Sequence, residues 1–453
     1  PTMVSSSAAS DVYKRQAVRR TGLNPYLMEL VNLRDQCSKV HARQPGLANR
    51  KANELVRLAA GRVSAAKPVH KLAFTTSGNA LIIGGGLAGM TAALAIADSG
   101  HKVHLVERTD ILGGHLQELY YVAEGENPRR LGRDLINRVR AHQLIEVHTD
   151  TEVIAHGGHV GRFWADLQTR YGDGTSETSR IENGVTIIAT GGREARDHPW
   201  LGLPGVITME DLEEKVVHHP EEIAALNDVI MIQCVQPEGM PEYCSRVCCT
   251  NTMKNAIRLK LFNPGCNVTV LYKNIVTYGF REKYYTEARE LGVNFTRYTD
   301  EQPPEIEYKD GNLQVRMLDL SVNRWLTLKA DVVPLCMPIA PAAGTNTLAN
   351  LLRLPLSTEG FFSEAQIKLR PMDFMREGIF LAGMAHYPKF IEESISHALA
   401  AAARALTLLS QGTMHLGGVV AEVNPDKCVG CLTCTRVCPF SIPQVLQLPD
   451  RHG

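Results

Sequence analysis

The sequence predicts an α/β protein in which one Rossmann-like unit is interrupted by a second, followed by a small cysteine-bearing tail. Three observations carry this reading. A strand, glycine turn, helix and strand follow one another over residues 79–107, and a strand, helix and strand recur over 228–272. A return segment then starts at residue 331 and closes on IFLAGMAHYPKF and a long alanine-rich helix through Leu409.

Taken in order, residues 1–16 (PTMVSSSAASDVYKRQ) show neither helical nor strand periodicity. They read as a non-native leader on an incomplete chain. From about Leu23 to Val63 the pattern is helical, with Leu47, Ala52, Leu55, Val56 and Ala59 on one face. Residues 67–78 read as a linker. ALII is then a strand, LAGMTAALAIADSG a helix ending at Gly100, and KVHLVE the next strand. Residues 150–191 predict a β-meander with a Gly-Asp-Gly turn at 172–174, closing on VTIIAT. In the second unit VIMIQC is a strand, NTMKNAIRLKLF a helix and NVTVLY a strand; a helix over 282–291 and the strand VNFTRY continue it.

The 453 residues suffice for two or three domains, and the formal net charge is +0. Nothing in that balance points to nucleic acid or a charged membrane surface. There is no run of apolar residues long enough for a membrane span and no secretory signal pattern. The expected location is the cytoplasm.

Gly84-Gly85-Gly86-Leu87-Ala88-Gly89 fits G-x-G-x-x-G between a strand and a helix. Gly84 permits the tight turn, Gly86 lets the backbone approach a pyrophosphate, and Gly89 lets helix and strand pack closely. The helix N-terminus offers free N–H groups to the phosphates. Glu107 ends the second strand, where a carboxylate can accept ribose hydroxyls. Arg108 follows, and then Gly113-Gly114, a glycine pair that resembles the extra pyrophosphate contact of FAD-binding disulfide-reductase relatives, a resemblance that implies FAD rather than NAD. The turn at Gly191 in IIATGG and the late GIFLAG ending at Gly383 fit the same assignment. FAD-binding relatives of the disulfide-reductase type carry Gly-Asp after that late motif. This chain has Gly383-Met384-Ala385-His386, so His386 is the candidate substitute for the missing ribitol-binding aspartate.

Of eleven cysteines, eight fall in two groups and three (Cys37, Cys266, Cys336) are isolated. Short spacings inside a large chain favour metal ligation over disulfides. In the second Rossmann-like unit the glycine loop of a nicotinamide site is replaced by Cys234, Cys244, Cys248 and Cys249, which converge on a helix N-terminus. A structural zinc site and a Cys248–Cys249 dithiol are the alternatives to the reading preferred here, a non-standard [4Fe–4S] site. The tail carries Cys428, Cys431, Cys434 and Cys438-Pro439, the C-x₂-C-x₂-C-x₃-C-P run of ferredoxins. A matching second run should follow about two dozen residues later, and the sequence stops at Gly453.

The expected fold class is therefore a two-dinucleotide-binding-domain flavoprotein, thioredoxin-reductase-like, with a C-terminal ferredoxin-type segment. Its domains are a leader (1–16), a helical segment and linker (17–78), an FAD-binding domain (79–227 and 335–415), an inserted second Rossmann-like domain with the cysteine cluster (228–334), and a truncated 4Fe-4S domain (416–453).

The segments GLNPYLMELVNLRDQCSKVH, LIIGGGLAGMTAALAIADSGHKVHLVER, YCSRVCCTNTMKNAIRLK, VTVLYKNIVTYGFREKYYTEARELGV and GMAHYPKFIEESISHALAAAARA, with the ferredoxin run, resemble the A subunit of heterodisulfide reductases. The resemblance covers residues 22 to 443 and YCSRVCC is its most diagnostic part. It implies FAD, an unusual [4Fe–4S] cluster on Cys234, Cys244, Cys248 and Cys249, and ferredoxin-type clusters. It also implies partner subunits in a complex, a hydrogenase, formate or NADH-linked donor, ferredoxin as a further partner, and electron bifurcation in some members. Cys37 lies in a matching segment and is a candidate ligand of an N-terminal cluster. After Gly114 the chain reads HLQELYYVAEGENPRR without cysteines, which resembles the shorter bacterial-type form and leaves the heterodisulfide substrate open.

The function expected on these grounds is flavin- and iron–sulfur-dependent electron transfer. An NAD(P)H-dependent flavin disulfide reductase and a non-catalytic electron-wiring module are the two rivals. Arg281 and Lys283, in TYGFREKYY, read as helix-surface charge rather than as flavin contacts.

Overall fold

The computed structural model describes residues 13–70, 72–416, 423–438 and 443–444. Most of the leader expected at 1–16, and much of the expected 416–453 domain including Pro439, lie outside them. The chain divides into two compact units, one of Thr75–Met414 and one of Pro1–Phe74 with His415–Gly453.

The larger unit begins with a strand too apolar to face water on either side. Ala80–Ile83 is fully buried, as are Val103–Val106 and Val185–Ile188. Strands buried on both faces belong in a parallel sheet covered by helices. The order is Ile379–Leu381, Val185–Ile188, Ala80–Ile83, Val103–Val106 and Ile145–His148, all parallel. Helices Leu87–Asp98, Pro128–Ala141 and Ile391–Leu409 pack on it. The alanine stripe Ala398, Ala401, Ala402, Ala405 lets the last of these lie close against the first, whose Ala92, Ala93 and Ile96 share the same core. The predicted meander is present as Thr151–His159, Arg162–Arg170 and Ser176–Asn183, antiparallel throughout.

A second parallel sheet runs Val206–Thr208, Val333–Leu335, Asp228–Ile232, Asn267–Tyr272 and Asn294–Arg297. The expected helices are present as Cys248–Phe262 and Glu282–Glu290. Between the last two strands of this segment lies a further antiparallel meander, Glu305–Lys309, Asn312–Asp319 and Arg324–Ala330. Val206–Thr208 shows that the second sheet draws its edge strand from upstream of residue 228.

In the smaller unit the helical pattern expected from Leu23 to Val63 is a helix only over Pro45–Ala65. Short turns at Pro25–Leu27 and Arg34–Ser38 precede it. Pro45 sits at the helix start, where its missing N–H costs nothing and its ring stops the helix extending backward. The predicted apolar face is not buried, with Leu47 39% and Val56 48% exposed, whereas Cys37 is 2% exposed. Among the described residues no helix is long and apolar enough to cross a membrane.

Candidate flavin and iron–sulfur site

Residues 84–89 form the expected turn, and sterics explain the glycines. A Cβ on Gly84 would stand 2.3 Å from the Ala189 carbonyl oxygen, and one on Gly89 would stand 1.8 Å from that of Gly84. Gly86 caps the Leu87–Asp98 helix without any side chain, so the N–H groups of its first turn face outward unclaimed by a cap. Gly113 donates to the Gly85 carbonyl at 2.9 Å, and a bridge joins Gly86 to Gly113. A Cβ on Gly114 would lie 3.2 Å from Gly86 Cα. The two glycine turns thus meet backbone to backbone, a cradle that side chains would fill and that fits a pyrophosphate.

Glu107 is buried, and its carboxylate accepts from the Gly85 N–H at 2.7 Å and the Thr109 N–H at 3.0 Å. Its first work is therefore to hold the turn. Arg108 reaches away and donates to the Ala343 carbonyl at 2.7 Å. Gly191 has φ +75, with open space where a Cβ would go. Gly383 has φ +64 and would drive a Cβ to 2.5 Å from that of Ala88, so the late motif is pressed onto the first helix. Its N–H donates to His397 Nδ1 at 3.0 Å.

His386 lies one turn on, with Nε2 2.8 Å from Glu364 and Nδ1 3.0 Å from Lys389 Nζ. Burial, then the neighbouring Lys389, holds its pKa below the usual imidazole value. Burial, then Arg246, lowers Lys389 to about 8. Lys389 was not legible as a site residue, and neither was Glu194, two residues past the 191–192 glycines. Burial and then Glu210 push the Glu194 carboxyl up to about 9.

The mid-chain thiols converge at the carboxyl ends of the second sheet's strands, where open α/β sheets bind ligands. Cys234 follows the Asp228–Ile232 strand in a left-handed conformation (φ +59), and Cys248 and Cys249 open the next helix. Cys336, isolated in sequence, belongs here too. It follows Val333–Leu335, and its N–H donates to Ile232 O at 2.8 Å. Thr252 donates to its sulfur at 3.4 Å. A cavity of about 220 Å³ is lined by Cys234, Cys244, Cys248, Cys249 and Cys336. Parallel-strand register is what brings Cys336 in, and local spacing carried no sign of it.

The thiols are electrostatically linked. The Cys248 thiol is held protonated as it bonds to Cys244, Cys249 and Cys336, while the Cys244 thiol falls to about 6 by accepting from Cys248. Cys249 is lowered by the same partner, and burial pushes Cys234 up to about 11. Gln233 is 0% exposed, with Oε1 3.8 Å from Cys249 Sγ and Nε2 lacking any partner. Its amide oxygen accepts from the Cys249 thiol, and five thiols line one cavity. The donor set therefore fits a soft-ligand cluster.

The loop between Cys234 and Cys248 is fastened to the flavin-side segment. Arg246 (φ +61) donates to the Pro388 carbonyl at 3.0 Å and pairs with Glu393 at 2.7 Å. Tyr387 OH donates to Cys244 O at 3.0 Å, and the Ile339 N–H to Ser245 Oγ at 3.0 Å. Arg281 is also drawn in: it pairs with Glu392 and lies 3.7 Å over the Phe390 ring. Its partner Glu392 lies in the first turn of the Ile391–Leu409 helix, and Phe390 caps that helix. Lys283 lies 4.8 Å over the ring of the adjacent Tyr284. In the other unit, Cys428, Cys431 and Cys434 are exposed and Cys438 is half-buried, around a short helix Thr433–Val437.

Fold and sites together define an oxidoreductase carrying FAD and [4Fe–4S] clusters. A family model described as FAD dependent oxidoreductase matches residues 79–156, and one described as 4Fe-4S binding domain matches 420–445. The A subunit of the H(2):CoB-CoM heterodisulfide,ferredoxin reductase of Methanothermobacter thermautotrophicus is 30% identical, over 94% of this chain and 78% of that protein. The A subunit of the Ferredoxin:CoB-CoM heterodisulfide reductase of Methanosarcina mazei is 29% identical over 94% of this chain, which spans 65% of that relative's length. The chain belongs to the family of heterodisulfide reductase A subunits. Among solved structures, the HOCl-induced flavoprotein disulfide reductase of Escherichia coli shares the fold with a TM-score of 0.50, at 15% identity over 75% of this chain and 72% of that one.

Proposed function

We propose that the chain is the electron-transfer subunit of a heterodisulfide-reductase-like complex, passing electrons between FAD, the mid-chain cluster and the tail clusters. When bound, FAD converts between electron pairs and single electrons and the clusters relay single electrons. The glycines at 84, 86, 89, 113 and 114 bring backbone N–H groups to the pyrophosphate, Glu107 holds the turn and meets the ribose, and Gly191, Gly383 and His386 border the flavin. Lys389 can hold or release a proton at Nζ beside His386. Cys234, Cys244, Cys248 and Cys249 ligate the mid-chain cluster, with Cys336 and Gln233 against its sulfurs. Cys428, Cys431, Cys434 and Cys438 ligate the tail clusters and hand electrons to partner subunits. The donor we favour is hydrogenase-, formate- or NADH-linked, with ferredoxin as a further partner and bifurcation as the finer form of the reaction.

The observation that carries this reading is the pinning of the cysteine loop to the Gly383–Glu393 segment through Arg246, Tyr387 and Glu393. One-electron transfer needs its two centres held at fixed spacing, and this stitching supplies it. The test is metal and flavin content of anaerobically made chain, intact and as Cys248→Ser. The variant should keep about one FAD and lose about four irons with their sulfide. Zinc in place of iron, or free thiols with rapid flavin bleaching by NADPH, would instead establish the disulfide-reductase alternative.

A further inference from the structure

Away from the flavin and the thiols, two histidines and a glutamate converge on the edge of the first sheet. His104 lies on Val103–Val106 and faces Glu146 across the parallel ladder, while His148 pairs opposite Val106. Residues two apart on a strand share a face, so all three side chains project to the same side. His104 Nδ1 lies 3.2 Å from His148 Nε2. Glu146 places one oxygen 3.6 Å from His104 Nδ1 and the other 3.7 Å from His148 Nε2.

Those separations are telling. Ligands around a tetrahedral zinc, with bonds of about 2.0–2.1 Å, stand about 3.3 Å from one another. The two imidazole nitrogens are already at about that spacing, and Glu146 turns a different oxygen towards each, so a rotation of its carboxylate is needed to bring one oxygen to a shared ion. The rings are stacked 27° apart with centroids at 5.5 Å, and a tautomer shift of one ring, which breaks the hydrogen bond between the facing nitrogens, presents both lone pairs to an ion. The His104 side chain is 7% exposed, that of His148 17% and that of Glu146 49%, which leaves one side open for a water ligand. The competing group is Lys102, whose Nζ is 2.8 Å from Glu146 Oε2; its side chain is 47% exposed and can swing into water.

We propose that His104, Glu146 and His148 bind a divalent transition ion, zinc being the best match to a two-imidazole, one-carboxylate set. The ion clamps the edge strand Ile145–His148 to its neighbour. His148 O accepts the Glu107 N–H at 2.8 Å, so the clamp steadies the strand that seats the acid of the glycine turn. This ion is separate from the clusters, whose ligands are thiols.

The test uses cluster-loaded holoprotein, stripped of loose metal with a chelator and given one equivalent of zinc. Zinc-edge X-ray absorption should show nitrogen and oxygen neighbours at about 2.0–2.1 Å and no sulfur at about 2.3 Å. Zinc should raise the thermal midpoint of the wild type, and His148→Ala should lose both the bound zinc and the shift while keeping iron and flavin. Should His148→Ala fail to fold, Glu146→Gln alters only a half-exposed carboxylate and should weaken zinc binding about tenfold or more. A sulfur shell around the added zinc, or zinc bound undiminished by Glu146→Gln or by folded His148→Ala, would overturn the proposal.

Discussion

A methyl group decides whether the flavin site forms. Gly89 faces the Gly84 carbonyl oxygen so closely that alanine would overlap it at 1.8 Å, and the overlap is with backbone rather than a flexible tip. Gly89→Ala should push the first helix off the sheet, cost about 1–3 kcal/mol or more, and yield protein lacking FAD absorbance while iron on the mid-chain cysteines persists. The six-residue turn was legible because Gly84 and Gly89 each have a steric reason and Gly86 opens the helix without a side chain. Glu107 was legible as an acid at the right strand end, but its bonds to Gly85 and Thr109 were not, since nothing in a linear pattern says which N–H a carboxylate will meet. Cys336 stayed hidden for the same cause: it reaches the thiols through the pairing of two strands about a hundred residues apart.

At the scale of elements, local pattern served where an element is buried. Strands such as Ala80–Ile83, and helices bounded by glycine, appear where the sequence put them. It served poorly over Leu23–Ala65, where no apolar face is covered and proline alone sets the helix start. The loop from Cys234 to Cys248 is held by side-chain bonds to another element, with both Cys234 and Arg246 in left-handed backbone that costs about 1–3 kcal/mol each. Arg246→Ala removes the bonds to Pro388 and Glu393. Amide hydrogen exchange should then rise across residues 236–247 and not in the Cys248–Phe262 helix, and the cluster should bleach faster in air. Unchanged exchange would mean that the loop is held by its other bonds, those of Tyr387, Ser245 and Tyr243.

For the whole molecule, buried histidines set the acid limit. Burial lowers His156 to about 3 and His397 to about 4, against 6.5 in an unfolded chain. Both are neutral in the folded protein, so below pH 6.5 the unfolded state binds the additional protons. The contribution of these two histidines should be flat above pH 7 and fall by about 1.4 kcal/mol per pH unit per group as pH drops from 6.5 towards 4. His156→Gln should be less steep by one group in denaturant midpoints measured from pH 7.5 to 5. A slope unchanged by the substitution would place the acid sensitivity elsewhere.

The crevice at the strand ends of the second sheet has a broader meaning. In a two-nucleotide flavoprotein that crevice is a berth where a soluble carrier docks, delivers and departs. With the proposed cluster on its cysteines, it would become a fixed terminal. Nothing has to diffuse in or leave between turnovers there, so throughput is governed by distance and driving force rather than by the concentration of a carrier. Selection then acts on how rigidly the terminal is bolted down.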